Sequence, residues 1–408
     1  MNRVDAEPDI ERLIQDGALR TYLQPIVSVR RKSIAGVESL LRAVHPETNQ
    51  ILSPKVLFEA ATRQNCFRRL DRAARSESLR LFADRALGEQ CLLFINFDLD
   101  SILHGDGVDE LLHEIRALDV PPSSIVAELV ENQFDDPRRL EKFVARVREH
   151  GMLVAIDDVG AGHSNLERIS LIRPDILKVD RSLCAKLGDD QCTEEVFTSL
   201  VNLGRRIGAL VVAEGIETHK QAMVALERGA ELLQGYLVLP PQPGESLDME
   251  QAEGATATLA GHFRRHMTAT INKNKTERRR QHTLLDSIVG ELTQADAANF
   301  ERTLARCLSG HKAAECAYVL DQSGQQVTET IFADGPPLST LLFRPAEPGT
   351  DHSLKTYYHQ LIDSEQSRYV TERYVSFASG KPCRTISSAF RDASNEQMFI
   401  LCVDVMAA

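Results

Sequence analysis

The 408-residue chain lacks several features that would place it in familiar classes of protein. No apolar run reaches the roughly 20 residues that a membrane-spanning helix needs. The first residues, MNRVDAEPDIERL, lack the basic and apolar regions of a secretory signal peptide. The eight cysteines include no CxxC pair, which favours reduced thiols over disulfides or a zinc site. These absences predict a cytoplasmic protein without membrane insertion.

A basic excess is also missing. The formal net charge is −12 and the isoelectric point is about 5.5. A phosphate backbone would be repelled by such a chain, so the charge argues against a nucleic-acid partner. With 43% hydrophobic and 26% charged residues, the composition is that of an ordinary globular protein. The length allows two or three domains.

Up to about residue 245, short apolar runs alternate with amphipathic helical segments such as 137–150 and 193–208. This alternation predicts a parallel sheet covered on both faces. About eight strands in some 240 residues is the size of a (β/α)8 barrel, although a doubly wound sheet fits the pattern as well. The predicted strands are 21–29, 33–41, 91–97, 124–131, 152–158, 175–180, 209–216 and 230–238.

The character of the sequence changes after PPQPGES (240–246). We expect a first domain over 1–246, a helical linker over 247–300 and a small α+β domain over 301–408. An apolar stripe at 284, 285, 288, 289 and 292 indicates a helix in the second half of that linker. In the last segment, DQSG and ASGK are hairpin-turn signals.

The stretch MLVAIDDVGAGHSNL (152–166) places two adjacent aspartates before a glycine-containing segment. The glycines are compatible with a phosphate-binding loop, but the aspartates would repel phosphate unless a cation lay between them. The alternative is a solvated turn in which Asp158 or Ser164 caps a helix. This stretch alone does not decide between the two.

Polar residues stand at the ends of most of the predicted strands. In a barrel, these ends converge on the face where barrel enzymes carry out their chemistry. Oxygen ligands without histidine or cysteine suit Mg2+ or Mn2+ better than zinc. Two such cations could share the adjacent aspartates and act on a phosphoester. The strand-end residues are Glu38, Asn96, Glu128, Glu131, Asp157, Asp158, Lys178, Asp180, Glu214 and Glu217.

The motifs over roughly residues 10–245 resemble those of the EAL-domain cyclic-di-GMP phosphodiesterases. They are QPIV (24–27), ESLLR (38–42), FIN (94–96), ELVE (128–131), DDVGAG (157–162), KVD (178–180), AEGIE (213–217) and QGY (234–236). The resemblance implies a modified (β/α)8 barrel that uses metal ions to hydrolyse cyclic di-GMP to linear pGpG. It also implies a homodimer.

The resemblance assigns roles to individual residues. Lys178 and Glu214 resemble the pair that orients and deprotonates the attacking water, together with the catalytic ligands Glu38 and Asp157. Glu131 resembles the residue that anchors the loop after Asp158. The implied metal ligands are Glu38, Asn96, Glu128, Asp157 and Asp158, and the implied substrate contacts are Gln24, Arg42, Asp180 and Gln234.

The chain departs from the family pattern at several positions. Ser39 replaces the signature alanine, a small-for-small change that leaves Glu38 in place. Val159 replaces a phenylalanine, and the usual GYSS is GHSN with His163 and Asn165, in the loop linked to metal occupancy and dimer contacts. The alternative to an enzyme is therefore a weak or inactive cyclic-di-GMP receptor that signals to a protein partner. Residues 301–408 resemble PAS-like or Cache-like sensor modules in the order of their elements. That segment is expected to bind an unknown small ligand or to serve as a dimerisation module without one.

Overall fold

The protein is described from a computed structural model covering residues 7–97, 107–130, 136–161, 166–309, 311, 314–338, 340–364 and 366–406. The chain divides into two compact units, Met1–Thr268 and Ala269–Ala408. We call them the barrel unit and the second unit. Glu131 and most of the loop after Asp158 lie outside the described residues.

The described residues of the barrel unit form ten strands. They are β1 (Leu19–Ser28), β2 (Ser33–Val44), β3 (Ile51–Leu52), β4 (Leu92–Phe97), β5 (Ile125–Val130), β6 (Leu153–Val159), β7 (Ile176–Val179), β8 (Leu210–Ala213), β9 (Leu232–Gln234) and β10 (Gln242–Pro243). Eight of them close into a barrel in the order β1-β9-β8-β7-β6-β5-β4-β2, with β1 paired to β2. This closure confirms the barrel and excludes the doubly wound sheet that the sequence pattern also allowed.

The expectation of an all-parallel sheet is wrong for one strand. Strands β2 and β4 to β9 are parallel, but β1 runs antiparallel to both β2 and β9. The reason is local: only residues 29–32 separate β1 from β2, and Lys32 adopts a positive φ of 58°. Four residues can close a hairpin but cannot make the crossover that a parallel pair requires.

Helices cover the outside of the barrel. They are α1 (Ile10–Gln15), α2 (Pro54–Arg63), α3 (Phe67–Asp84), α4 (Gly107–Ala117), α5 (Pro137–Glu149), α6 (Leu166–Ile172), α7 (Arg181–Cys184), α8 (Gln191–Ile207) and α9 (His219–Arg228). The apolar faces of α3 to α9 pack on the outward side chains of the strands in the main core, whereas those of α1 and α2 form a separate cluster with residues of β1 and β2. A smaller core of inward side chains fills the barrel itself.

The long helix α10 (Met249–Leu292) runs through the boundary between the units. Within the barrel unit, its Ala252 and Leu259 join the main core. Within the second unit, Leu284, Leu285, Ile288 and Leu292 are buried, so four positions of the predicted apolar stripe belong to that unit's core. No helix among the described residues has both the length and the apolar character needed to cross a bilayer.

The second unit is an α+β fold. It contains α11 (Phe300–Leu308), β11 (Ala314–Asp321), β12 (Ile331–Phe332), α12 (Thr356–Ile362), β13 (Arg368–Val370), β14 (Tyr374–Val375), β15 (Pro382–Arg391) and β16 (Met398–Met406). The antiparallel sheet has the order β12-β11-β16-β15-β13, and β14 also pairs with β15. Helix α11 packs on one face of this sheet, and α12 packs on the other.

The cysteines behave as the sequence indicates. All eight are free thiols. Cys91, Cys316 and Cys402 are buried and serve as small core residues.

Candidate active site

The site is built on an apolar layer inside the barrel. This floor layer consists of Ile26, Phe94, Val126, Ala155, Ile176, Val212 and Leu232. Side chains alternate between the two faces of a strand, so the next inward residue lies two positions further along. The next inward residue toward the carboxyl ends of the parallel strands lies two positions after each floor residue, and in the antiparallel β1 it lies two positions before Ile26. These next residues are Gln24, Asn96, Glu128, Asp157, Lys178, Glu214 and Gln234. The strands therefore deliver a polar layer directly above the apolar one.

Gly36 on β2 completes the floor. A side-chain Cβ at this position would lie 2.5 Å from Phe94 Cε2 and 2.9 Å from the Leu92 carbonyl oxygen. The absence of a side chain therefore lets the Phe94 ring pack against β2. Two residues further on, β2 supplies Glu38 to the polar layer.

Lys178 lies at the centre of the polar layer and is only 1% exposed. Its Nζ is 2.7 Å from Glu128 Oε1 and 2.8 Å from Glu214 Oε1. It is 3.1 Å from Asp157 Oδ1 and 3.3 Å from Glu38 Oε2. The carboxylates thus come from four different strands or strand ends, and the barrel brings them to one cation.

The charges in this layer are unbalanced. We define the acidic cluster as Glu38, Glu128, Asp157, Asp158 and Glu214. Burial raises the pKa of Glu128 and of Glu214 well above the ordinary value, although Lys178 opposes the shift. Burial also raises the pKa of Asp158 to about 6, with Asp157 adding to the effect. Burial lowers the pKa of Lys178, but the surrounding carboxylates outweigh it and hold that pKa well above normal.

The adjacent aspartates are explained by an irregularity in β6. The register between β6 and β7 shifts between Ile156 and Val159, and Asp158 adopts a positive φ of 56°. In a regular strand, neighbouring residues face opposite sides, but a bulge can turn an extra side chain toward the same side. Asp157 and Asp158 accordingly line one cavity, together with Asn96.

The residues present fit divalent cations. One oxygen from each of Glu38, Glu128 and Asp157 lies within 4.8 Å of the others, and the same holds for Asp157, Asp158 and Glu214. Asp157 is common to both groups. Glu128 Oε2 is buried and accepts no hydrogen bond among the described residues. Closely grouped carboxylate oxygens with an unused buried acceptor are what Mg2+ or Mn2+ would bind.

Two glutamines connect the acidic cluster to β1 and β9. Gln234 Nε2 donates to Glu38 Oε2 at 2.5 Å and lies 3.2 Å from Gln24 Oε1. Gln24 Nε2 in turn donates to the Leu239 carbonyl at 3.2 Å. These bonds orient the Glu38 carboxylate. Both glutamines therefore have a structural role in addition to any contact with a ligand.

Other predicted residues lie outside the acidic cluster. The half-buried Arg42 guanidinium lies 5.5 Å from the centre of the Tyr22 ring, and burial lowers its pKa. Asp180 caps α7 by accepting a hydrogen bond from the Ser182 amide at 2.9 Å. A capping role accounts for Asp180 without a substrate. The anchoring role of Glu131 stays a prediction, because this residue is not among those described.

Sequence reasoning missed the contribution of α3. Ser39 Oγ makes a short hydrogen bond with Ser78 Oγ, which also donates to the Ala74 carbonyl at 2.8 Å. One turn earlier, Asp71 and Arg75 form a buried ion pair. These residues line a cavity of about 440 Å3 that also reaches Asn96, Asp157 and Asp158. The i, i+4 spacing of Asp71 and Arg75 was a signal in the sequence.

The comparison with known families decides the identification. Residues 7–241 match the EAL domain. The chain belongs to the EAL-domain family. It is 26% identical over 384 residues to the uncharacterised EAL-domain protein YkuI of Bacillus subtilis, and the alignment covers 91% of each chain. It is 25% identical over 244 residues to the cyclic di-GMP phosphodiesterase PdeL of Escherichia coli, covering 59% of this chain and 67% of PdeL.

Other relatives match this EAL-domain chain over a smaller part of their length. It spans 40% of the length of uncharacterised mycobacterial proteins, to which it is 31% identical over 249 residues. The resemblance read from the motifs of the barrel is confirmed by the family match. The resemblance of residues 301–408 to PAS or Cache modules stays a prediction.

Solved structures agree with the fold. The crystal structure of YkuI with cyclic di-GMP and calcium has a TM-score of 0.79 and covers 98% of this chain and 100% of that one. At 23% identity, this likeness shows the fold alone. BlrP1 of Klebsiella pneumoniae, solved with manganese and cyclic di-GMP, has a TM-score of 0.50 at 29% identity over 55% of this chain and 56% of its own.

Proposed function

We propose that the protein hydrolyses cyclic di-GMP to linear pGpG with the help of Mg2+ or Mn2+. The observation that carries this proposal is the acidic cluster around Lys178, with its unused buried oxygen on Glu128. PdeL is named a cyclic di-GMP phosphodiesterase, and BlrP1 was solved with cyclic di-GMP bound. Both relatives support cyclic di-GMP as the substrate. The manganese in the BlrP1 complex supports the metal.

The reaction consumes one water. The water oxygen forms a bond to one of the two phosphorus atoms of the ring, and the bond from that phosphorus to the ribose 3′ oxygen breaks. The 3′ oxygen takes up a proton, and the product is a linear dinucleotide with a 5′ phosphate. Divalent cations in the acidic cluster would supply the positive charge that phosphoester hydrolysis needs.

The chain's own residues have distinct parts in this proposal. Glu38, Asn96, Glu128, Asp157 and Asp158 would hold the cations. Glu214 would accept the proton of the attacking water, and Lys178, at 2.8 Å from Glu214, would keep that carboxylate in position. Lys178 would also offset negative charge that develops on the phosphate. Arg42 would bind phosphate, and Gln24, Asp180 and Gln234 would contact the substrate.

We extend the proposal to regulation by the rest of the chain. Residues 301–408 would form a PAS-like or Cache-like domain that regulates hydrolysis in a homodimer. Two facts support this part of the proposal. The match to YkuI runs through 91% of both proteins, and the second unit has its own hydrophobic core.

The test is direct. Purified full-length protein is incubated with cyclic di-GMP and Mg2+ or Mn2+, and pGpG is measured by chromatography. We expect turnover that chelation abolishes and that Glu38→Gln lowers by at least about 100-fold, because a metal ligand loses its charge. Glu89→Gln is the matched control, since Glu89 is exposed and precedes β4 at the opposite end of the strand.

Two results would contradict the proposal. Turnover of folded Glu38→Gln at the level of Glu89→Gln would remove Glu38 from the metal site. Tight binding of cyclic di-GMP with no pGpG formed in the presence of either Mg2+ or Mn2+ would show a receptor instead of an enzyme. Calorimetry on the same samples separates binding from turnover.

A further inference from the structure

The second unit contains a small cavity, partly open to solvent, that the proposed hydrolysis does not use. Its volume is about 70 Å3. A water molecule occupies roughly 30 Å3, so the cavity accommodates two or three waters or a compact molecule of a few heavy atoms. The polar and charged side chains that line it include Arg344, His352, Lys355, Tyr357, Tyr374 and Asp404.

A chain of hydrogen bonds leads to the cavity and stops there. Tyr318 and Tyr357 place their hydroxyl oxygens 3.0 Å apart, and the Tyr357 hydroxyl lies 2.8 Å from His352 Nδ1. His352 is 8% exposed, and its buried Nε2 has no hydrogen-bond partner among the described residues. When Tyr357 donates to Nδ1, the proton of the neutral ring is on Nε2. A buried N–H without an acceptor is unfavourable unless a ligand or water completes it.

The charges around the cavity favour an anion. Arg344 and Lys355 are exposed side chains on its lining, and the Lys355 ammonium lies 5.2 Å from the centre of the Phe377 ring. The one lining carboxylate, Asp404, already accepts from Thr385 Oγ1 at 2.7 Å and from Tyr374 at 3.4 Å. Burial, with Lys355 adding to it, lowers the pKa of His352 to about 4, so this ring is neutral near pH 7.

The wall that carries Arg344 is held in place. Gln326 is 1% exposed, and its Nε2 donates to the carbonyls of Thr328 at 2.8 Å and of Ala346 at 3.0 Å. Thr330 Oγ1 donates to the same Ala346 carbonyl at 2.8 Å. These bonds fix the segment two residues after Arg344. This part of the cavity wall is therefore held in place before a ligand binds.

We propose that this cavity binds a small monocarboxylate anion, of the size of acetate, propionate or pyruvate. One carboxylate oxygen accepts from His352 Nε2, and the anion's charge faces Arg344 and Lys355. The apolar part of the ligand packs against the tyrosine rings. The volume of the cavity suits the carboxylate end of a ligand of a few heavy atoms.

The binding experiment uses the full-length chain at constant ionic strength. Acetate, propionate and pyruvate are titrated by calorimetry, with acetamide as the neutral isostere of acetate. We expect at least one carboxylate to bind at millimolar concentration or below, and acetamide to bind at least about tenfold more weakly than acetate. Arg344→Gln should weaken carboxylate binding by about fivefold or more.

Matched variants keep the test decisive. Arg384→Gln removes the same charge from an exposed position of the same unit outside the cavity lining, so it should leave binding unchanged. His352→Gln should weaken binding by about tenfold, because an amide offers a poorly placed N–H. Because His352 is buried, circular dichroism checks the fold of that variant, and the exposed Arg344→Gln carries the conclusion if it unfolds.

Three outcomes would overturn the proposal. The first is no binding of any of these carboxylates at millimolar concentration to folded protein. The second is equal binding of acetate and acetamide, or of acetate and sulfate, which would remove the carboxylate class. The third is an equal effect of Arg344→Gln and Arg384→Gln, which would leave only general attraction between the protein and anions.

Discussion

Lys178 carries one positive charge among five carboxylates at the carboxyl end of the barrel strands. A lysine that is 1% exposed pays a large desolvation penalty, and here several ion pairs offset it. A single cation cannot neutralise the cluster. The surplus of negative charge at this place is the feature that a divalent metal would relieve.

The first prediction concerns Lys178→Met. The variant keeps the length of the side chain and removes its charge, so we expect turnover to fall by about 100-fold or more while KM changes much less. The expected role of Lys178 is in the transition state, which places its effect on kcat. Steady-state kinetics at saturating cyclic di-GMP give the measurement, with Lys220→Met as the control at an exposed position. A variant with normal kcat and a raised KM would contradict this role.

The second prediction separates metal binding from folding at Glu128. In metal-free protein, Glu128 is a fully buried carboxylate among like charges, and burial raises its pKa well above normal. Because Lys178 keeps its ion pairs with Glu38, Asp157 and Glu214, we expect Glu128→Gln to fold without metal as the wild type does. It should also lose the stabilisation that Mg2+ or Mn2+ gives the wild type, about 2.7 kcal/mol at 100 times the dissociation constant.

Thermal melting of both proteins with and without metal tests this expectation. The exposed Glu89→Gln should respond to metal as the wild type does. If metal raised the melting temperature of Glu128→Gln as much as that of the wild type, Glu128 would not be a ligand. A large loss of stability in metal-free Glu128→Gln would instead assign this residue a structural role.

At the scale of the strand, the alternation of side chains explains both the floor layer and the polar layer. Gly36 on β2 is the point where this arrangement is tightest, because any Cβ there would meet Phe94 and the Leu92 carbonyl. The parallel pairing of Gly36 with Leu92 and of Glu38 with Phe94 leaves little room for β2 to shift. A side chain at position 36 should therefore also displace Glu38, which lies two residues further along the same strand.

The third prediction follows from this packing. Gly36→Ala should lower the free energy of unfolding by about 1–3 kcal/mol, as overpacked cores do, and should also reduce turnover. Gly254→Ala is the matched control, since nothing lies within 4 Å of a Cβ at that position of α10. Because alanine is the better helix former, the control should be neutral or slightly stabilising. Far-UV circular dichroism during melting gives the comparison, and equal stability of the two variants would contradict it.

The elements of this fold differ in how far the sequence could predict them. The apolar runs and the polar residues at their ends predicted the strands and the members of the acidic cluster, because both follow from local periodicity. The antiparallel direction of β1 was missed, although the four residues before β2 held the signal. The bulge at Asp158 was missed because a positive φ at a non-glycine residue leaves no pattern in the sequence.

Two other arrangements of distant residues could not be predicted. Ser39 was identified as a departure from the family pattern, but its partner Ser78 lies 39 residues away on α3. The cavity in the second unit gathers residues from several strands and loops between 318 and 404. Neither arrangement repeats with a period that a single sequence reveals, so only the three-dimensional fold brings the groups together.

At the scale of the whole molecule, the chain offers a spectroscopic separation of its two units. It has no tryptophan, and five of its seven tyrosines lie in the second unit. Tyrosine fluorescence therefore reports mainly on that unit. Circular dichroism reports on the helices of both. This difference allows the stability of the second unit to be followed in the intact protein.

Two buried groups of the second unit should give its stability opposite dependences on pH. Burial raises the pKa of Asp404 to about 6, and Glu315 adds to the shift while Thr385 opposes it. The folded state then holds this proton more tightly than the unfolded state, so its contribution to stability falls as the pH rises through 6. Burial lowers the pKa of His352 to about 4, so its contribution falls as the pH decreases from about 6.5 toward 4.

The last prediction is that single variants expose the two opposing slopes, which partly cancel in the wild type. Relative to the wild type, Asp404→Asn should become more stable as the pH rises from about 4 to 6, because the Asp404 penalty at higher pH is gone. His352→Gln should show the reverse trend between about 4 and 6.5. Asp334→Asn, at an exposed position, should show neither. Urea unfolding followed by tyrosine fluorescence at several pH values measures these differences. Parallel curves for Asp404→Asn and Asp334→Asn would contradict the expectation for Asp404, and parallel curves for His352→Gln and Asp334→Asn would contradict the expectation for His352.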